Sequence, residues 1–156
     1  MCYLSFLPYY LSIMRANTQS LQTFSHDLST SVVERYFLTM NEGRFRQTAH
    51  LFALEGIIAP PFLPQIKGQR AIADYLEKTA GGICLKVFSK TSQRFRHARL
   101  QVDVQGRVKT CCFETDAAWT FLLNPDGRIA LLQIKLRVSL KKLNQLYPYL
   151  DQVACG

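Results

Sequence analysis

The sequence contains no C-x-x-C pair, no run of four basic residues, no internal repeat and no apolar stretch of the ~20 residues needed to span a bilayer. Each absence removes a class of protein. The five cysteines, at 2, 84, 111, 112 and 155, cannot all pair within one chain, which argues against a secreted disulfide framework and makes a reducing, cytoplasmic compartment the default. The odd count leaves one intermolecular bridge open. The first fourteen residues are mostly apolar, but Pro8 interrupts them, no Lys or Arg precedes them, and no A-x-A cleavage site follows. Met14, followed by polar sequence, is an alternative start, and a membrane-touching anchor is the other option. Residues 1–28 are expected to form a poorly ordered extension. Acidic residues are also scarce, 11 against 19 Lys and Arg, giving a net charge of +8 that favours an anionic partner: nucleic acid, an anionic lipid surface or an acidic protein. There is no RNA-reading aromatic motif, zinc finger or helix-turn-helix spacing, so nucleic acid is not expected. The densest basic stretch, "SKTSQRFRHAR" (89–99), reads as a solvated edge.

What is present is enough apolar residue for one folded domain: 48% hydrophobic against 19% charged over 156 residues. "STSVVERYFLTMNEGRF" holds a capping box, Ser31-Val-Val-Glu34, predicting a helix from there to a stop at Gly43. Val33, Tyr36, Phe37 and Met40 share its apolar face. A second helix is predicted over 44–54, with Phe45, Ala49 and Phe52 inward. "EGIIAPPFLPQIKG" gives a short strand and a proline-rich turn. A third helix runs from Gln69 to Ala80, ending at Gly81-Gly82. The remainder reads as strand. Over 99–113, Leu100, Val102, Val104, Val108, Thr110 and Cys112 alternate with Arg99, Gln101, Asp103, Gln105, Arg107 and Lys109. Gly106 marks a bulge or bend in this run. "ETD" is predicted as a turn, followed by strand 117–123, the turn "NPDG", strand 129–138 and a terminal helix over "SLKKLNQLYPYL". The body spans 29–150, with a tail at 151–156. Helices followed by a long antiparallel sheet make an α+β pattern, a sheet curved into a cone and wrapped by about three N-terminal helices.

Two residues stand out inside that cone. Trp119, the only tryptophan, shares a strand face with Phe113, Ala117, Phe121 and Leu123, and Tyr36 lies on the inward face of the first helix. Each carries a hydrogen-bond donor into an apolar interior, where a donor needs an acceptor. Two readings are open: the donors meet one carbonyl oxygen of a long hydrophobic ligand, or they are core aromatics satisfied by backbone carbonyls.

Between Ser31 and Leu146 the chain resembles the nuclear transport factor 2-like fold. More narrowly, it is similar to the C-terminal domain of the orange carotenoid protein and its stand-alone homologues of cyanobacteria. The residues that carry the resemblance are the "LF…G…PPF…I.G" segment (Leu51, Phe52, Gly56, Pro60, Pro61, Phe62, Ile66, Gly68) and "AWTFLLNPDGRI". The resemblance implies a ketocarotenoid of the echinenone or canthaxanthin type, its keto oxygen bonded by Tyr36 and Trp119. Apolar lining would come from Met40, Ile66, Leu85, Phe113, Ile134 and Leu136. It further implies a homodimer, delivery of pigment to helical carotenoid proteins or apo orange carotenoid protein, quenching of singlet oxygen, and a place in the cytoplasm or at the thylakoid surface.

The chain departs from the family where "TCCFETDAAW" replaces a longer hairpin carrying a second tryptophan. Some stand-alone homologues form a disulfide-linked dimer through a cysteine in this region, a role Cys112 (inward on the alternation) or Cys111 (outward) could fill. Cys84 is a third option, and a reduced pair of thiols the alternative. Catalysis on this fold needs carboxylates inside the pocket, and Glu55, Asp103, Glu114 and Asp116 are not expected there. His26, His50 and His97 have no metal-gathering spacing. A non-enzymatic carrier is therefore the expectation, with a small-molecule isomerase or hydrolase and a filled protein-interaction module as rivals.

Overall fold

The computed structural model describes residues 24–94 and 99–137, with side chains from residue 31 onward. The N-terminal segment 1–23, the His26 side chain, His97, the terminal helix and tail over 139–156, and Cys2 and Cys155 lie outside that description.

Helix α1 runs Phe24–Asn41 and a short α2 covers Phe45–His50. Strand β1, Phe52–Ala59, leads through the proline-rich turn to β2, Ile66–Lys67, and α3, Gln69–Thr79. Four strands complete the chain: β3 Cys84–Arg94, β4 Leu100–Lys109, β5 Glu114–Leu123 and β6 Ile129–Arg137. They form one six-stranded sheet in the order β2-β1-β6-β5-β4-β3. Every neighbouring pair is antiparallel except β1 and β6, which run parallel, a feature the run of strand signals does not reveal.

Two boundaries differ from the sequence expectation. Helix α1 starts seven residues before Ser31. Glu34, the acid of the expected capping box, pairs instead with Lys90 at 3.1 Å, so Ser31 and Glu34 sit within a continuing helix rather than capping one. The second helix stops at His50, and Phe52 enters the sheet opposite Ile129, whose N–H donates to the Leu51 carbonyl at 3.0 Å. Gly43, at φ 70°, ends α1 as expected.

The sheet is shaped by a bulge. The β3–β4 register shifts between Val87 and Ser89, opposite Gly106 and Gln105. A Cβ on residue 106 would collide with the Lys86 carbonyl, so glycine is the residue this close approach admits. Past the bulge, Lys90, Ser92 and Arg94 face the same side as Val104, Val102 and Leu100, toward the helices. That turn of phase brings Lys90 to Glu34. Asn41, at the end of α1, clamps the same strand: its side chain donates to the Leu85 carbonyl at 2.9 Å and accepts from the Leu85 N–H at 2.7 Å.

The core lies between the helices and one sheet face. Its largest fully buried side chains are Trp119, Tyr36, Phe52 and Phe121. Each such burial contributes roughly 1.5–3 kcal/mol. The buried polar residues among those described are all threonines: Thr39, Thr48 and Thr115.

Candidate functional site

Strand β5 alternates cleanly, placing Ala117, Trp119, Phe121 and Leu123 on the helix side. Val104 and Ile134 flank Trp119 in register on either side. Helix α1 crosses this face and lowers Tyr36, Phe37 and Met40 onto it. Tyr36 and Trp119 are each 1% exposed. They do not stack on one another. Phe37 meets Tyr36 edge-on at 5.3 Å and Trp119 edge-on at 5.1 Å, while Phe121 closes against Tyr36 at 5.2 Å. Phe37 is thus the ring that spaces the two donors, a role the helical periodicity does not show.

No described residue accepts a hydrogen bond from the Tyr36 hydroxyl or the Trp119 N–H. Among the described residues no fully enclosed side-chain nitrogen or oxygen lacks a partner. Both donors sit within the aromatic core cluster, with no described acceptor beside them. Burial, and then the neighbouring Tyr75 phenol, pushes the Tyr36 phenol well above its ordinary pKa, so it stays a neutral donor across the physiological range. Tyr75 was not singled out by the sequence. It is half-buried on α3, and its apolar spacing on that helix was the available signal.

The other expected lining residues divide. Met40 and Leu85 are buried in the core. Ile66, Ile134 and Leu136 are half-buried and packed against it. On β6 the inward residues become more accessible along the strand, from Leu132 at 0% exposure to half-buried Ile134 and Leu136. Phe113 is half-buried in the turn after β4, one residue before β5 begins, and is not among the half-buried residues packed against the core. That turn spans 110–113, because β5 already begins at Glu114; "ETD" is strand. Consequently Cys112 is exposed beside Cys111, not inward: the alternation of β4 ends at Lys109. Cys84 is half-buried at the start of β3.

The carboxylates lie elsewhere. Glu114 and Asp116 hold Arg107 on the outer face, at 3.2 and 2.9 Å, with the guanidinium 5.3 Å above the Phe88 ring. Asp103 accepts from Thr120 and Gln101, both at 2.7 Å, on that same face. Glu55 pairs with Lys67 at 2.7 Å in an exposed position. No cluster of three metal-ligating side chains occurs among the described residues. No helix among them is long and apolar enough to cross a membrane.

Comparison with known proteins places this architecture. Residues 28–131 match the nuclear transport factor 2 (NTF2) domain. The orange carotenoid-binding protein of Limnospira maxima is 28% identical over 123 residues, covering 76% of this chain and 39% of the relative. The structure of the Anabaena (Nostoc) orange carotenoid protein binding canthaxanthin superposes with a TM-score of 0.66 at 31% identity, over 72% of this chain and 38% of that one. The chain thus spans about two fifths of these relatives, the part corresponding to their C-terminal domain. A Bacillus subtilis protein, 16% identical with a TM-score of 0.60, shares the fold alone. A curved sheet under three helices, with an aromatic interior and a match covering 28–131, makes the chain a member of the nuclear transport factor 2 domain family.

Proposed function

We propose that this domain binds a ketocarotenoid on the helix side of its sheet and carries it without chemical conversion. The observation that carries this reading is the pair of buried donors, Tyr36 and Trp119, that no described residue satisfies. An unpaired buried donor costs roughly 1–3 kcal/mol, and a ligand oxygen removes that cost. The half-buried Ile134 and Leu136 beside them offer apolar surface to a polyene chain. A keto group fits the donor set because it accepts from both and needs nothing else. The similarity to orange carotenoid proteins, one of them binding canthaxanthin, supports the same ligand class. The sheet carboxylates Asp103, Glu114 and Asp116 are engaged on the outer face, which favours binding over proton transfer.

Within this reading two copies face each other across one pigment, since a single domain is too small to cover so long a molecule and two joined mouths exclude water from its middle. The pigment is passed to helical carotenoid proteins or to apo orange carotenoid protein, and quenches singlet oxygen while held. The net charge of +8 suits loading from an anionic membrane surface, on the cytoplasmic side of the thylakoid. Pigment uptake from anionic liposomes is expected to fall as salt rises, and a salt-independent rate removes the membrane step.

Co-expression tests the ligand class. In a host that makes canthaxanthin the purified protein is expected to be coloured. In a host that makes only hydrocarbon carotenes it is expected to be colourless. Equal colour from both hosts, or none from either, contradicts the proposal.

A further inference from the structure

On the surface, two nucleophiles lie in contact. Cys111 and Cys112 form the tip of the turn between β4 and β5, both exposed, with their sulfurs 2.9 Å apart. Bonds that do not involve sulfur fix the backbone that presents them. The Thr110 N–H donates to the Phe113 carbonyl at 2.8 Å. The Thr110 hydroxyl oxygen accepts from the N–H groups of Cys112 at 3.2 Å and Phe113 at 3.1 Å.

We infer that Cys111 and Cys112 are a modification site, a vicinal dithiol that a hydroperoxide converts to an intramolecular disulfide. The site is independent of the pigment reading. A hydrogen bond with the Cys112 sulfur, and then that sulfur's charge, pushes the Cys111 thiol up, and we assign the attack to Cys112. The Cys112 thiolate attacks the hydroperoxide. An S–O bond forms, the O–O bond breaks, and an alcohol leaves with the proton that Cys112 gave up. Cys112 is then a sulfenic acid. The Cys111 sulfur displaces its hydroxyl: the S–S bond forms, the S–O bond breaks, and water leaves with the Cys111 proton. In sum, two thiols and one hydroperoxide give one disulfide, one alcohol and one water.

Proximity selects this outcome over a bridge between protomers. The resolving thiol is 2.9 Å away at any protein concentration, whereas a partner's thiol must arrive by diffusion. The ring is nonetheless strained. Adjacent Cα atoms are about 3.8 Å apart, below the usual span of about 4.4–6.8 Å across a disulfide. A strained, exposed disulfide is easily reduced, which makes it a reversible mark rather than a staple.

Peptide mass spectrometry reads the result directly. Trypsin, cutting after Lys109 and Arg128, releases both cysteines in one peptide, 110–128, with Cys84 in another, 79–86. After mild hydrogen peroxide, the full-length protein is expected to yield peptide 110–128 lighter by two hydrogens, closed to iodoacetamide and reopened by dithiothreitol. Recovery of that peptide cross-linked to a second copy or to 79–86 overturns the inference. So does recovery as sulfinic or sulfonic acid, or with both thiols still alkylated. Cys111→Ser keeps the attacking sulfur and removes the resolving one. Both positions are exposed, so folding is not at risk, and the sulfenic acid on Cys112 is expected to persist and be trapped by dimedone. Absence of trapped adduct in that variant also overturns it.

Discussion

Strand β5 has two faces with opposite economies. On one, Trp119 and Phe121 are sealed against α1. On the other, Glu114 and Asp116 hold Arg107 in the open. Both faces are built from the same alternation, residue by residue. The inner face holds most of the stability and leaves two donors without acceptors among the described residues; the outer face holds charge but little energy, because exposed ion pairs are screened and entropically costly. The proposed ligand site therefore lies on the more buried of the two faces, at two donors that no described residue satisfies.

Substitutions on the two faces should separate this contrast sharply. Phe121→Ala, at a position 0% exposed and touching Tyr36 and Phe37, is expected to cost about 3–5 kcal/mol in urea unfolding, or to prevent folding. A loss below about 1 kcal/mol would mean the inner face is loosely packed. Next in size is a pH effect. The Tyr36 phenol titrates higher when folded than unfolded, so its contribution is complete below the unfolded value near about 10 and lost as pH climbs above it, by at most about 1.4 kcal/mol per pH unit. Tyr36→Phe is expected to flatten that alkaline decline in urea midpoints measured between pH 9 and about 11. An unchanged slope would show that the phenol is not sealed. Smallest is Arg107→Ala on the outer face, expected to leave the thermal midpoint unchanged at moderate salt; a clear drop there would erase the contrast.

The same alternation explains what could be read in advance. The inward residues of β4, β5 and β6, and the buried positions Tyr36 and Trp119, follow from period-two and helical spacing, because each element has one wet face. The second half of strand β3, from Ser89 to Arg94, was hidden for a specific reason. Its bulge reverses the phase, so Lys90, Ser92 and Arg94 occupy the helix side and the stretch looks solvated throughout. The start of α1 was obscured because Glu34 answers to Lys90, a residue 56 positions away, rather than to a cap. Cys112 was assigned inward by carrying the β4 pattern through a turn that begins at Thr110. The spacing of the two donors by Phe37 is a matter of tertiary packing, outside the reach of periodicity.

The donor pair itself is tested most directly by the absorption spectrum of the pigment-loaded protein when Trp119 is replaced by phenylalanine, which retains an aromatic ring and removes the N–H. Trp119→Phe is expected to bind canthaxanthin about tenfold more weakly, equivalent to about 1.4 kcal/mol, and to shift its absorption to the blue. Tyr36→Phe should act in the same direction. Affinity and spectrum identical to the unsubstituted protein in both variants would contradict a keto oxygen held between these two groups.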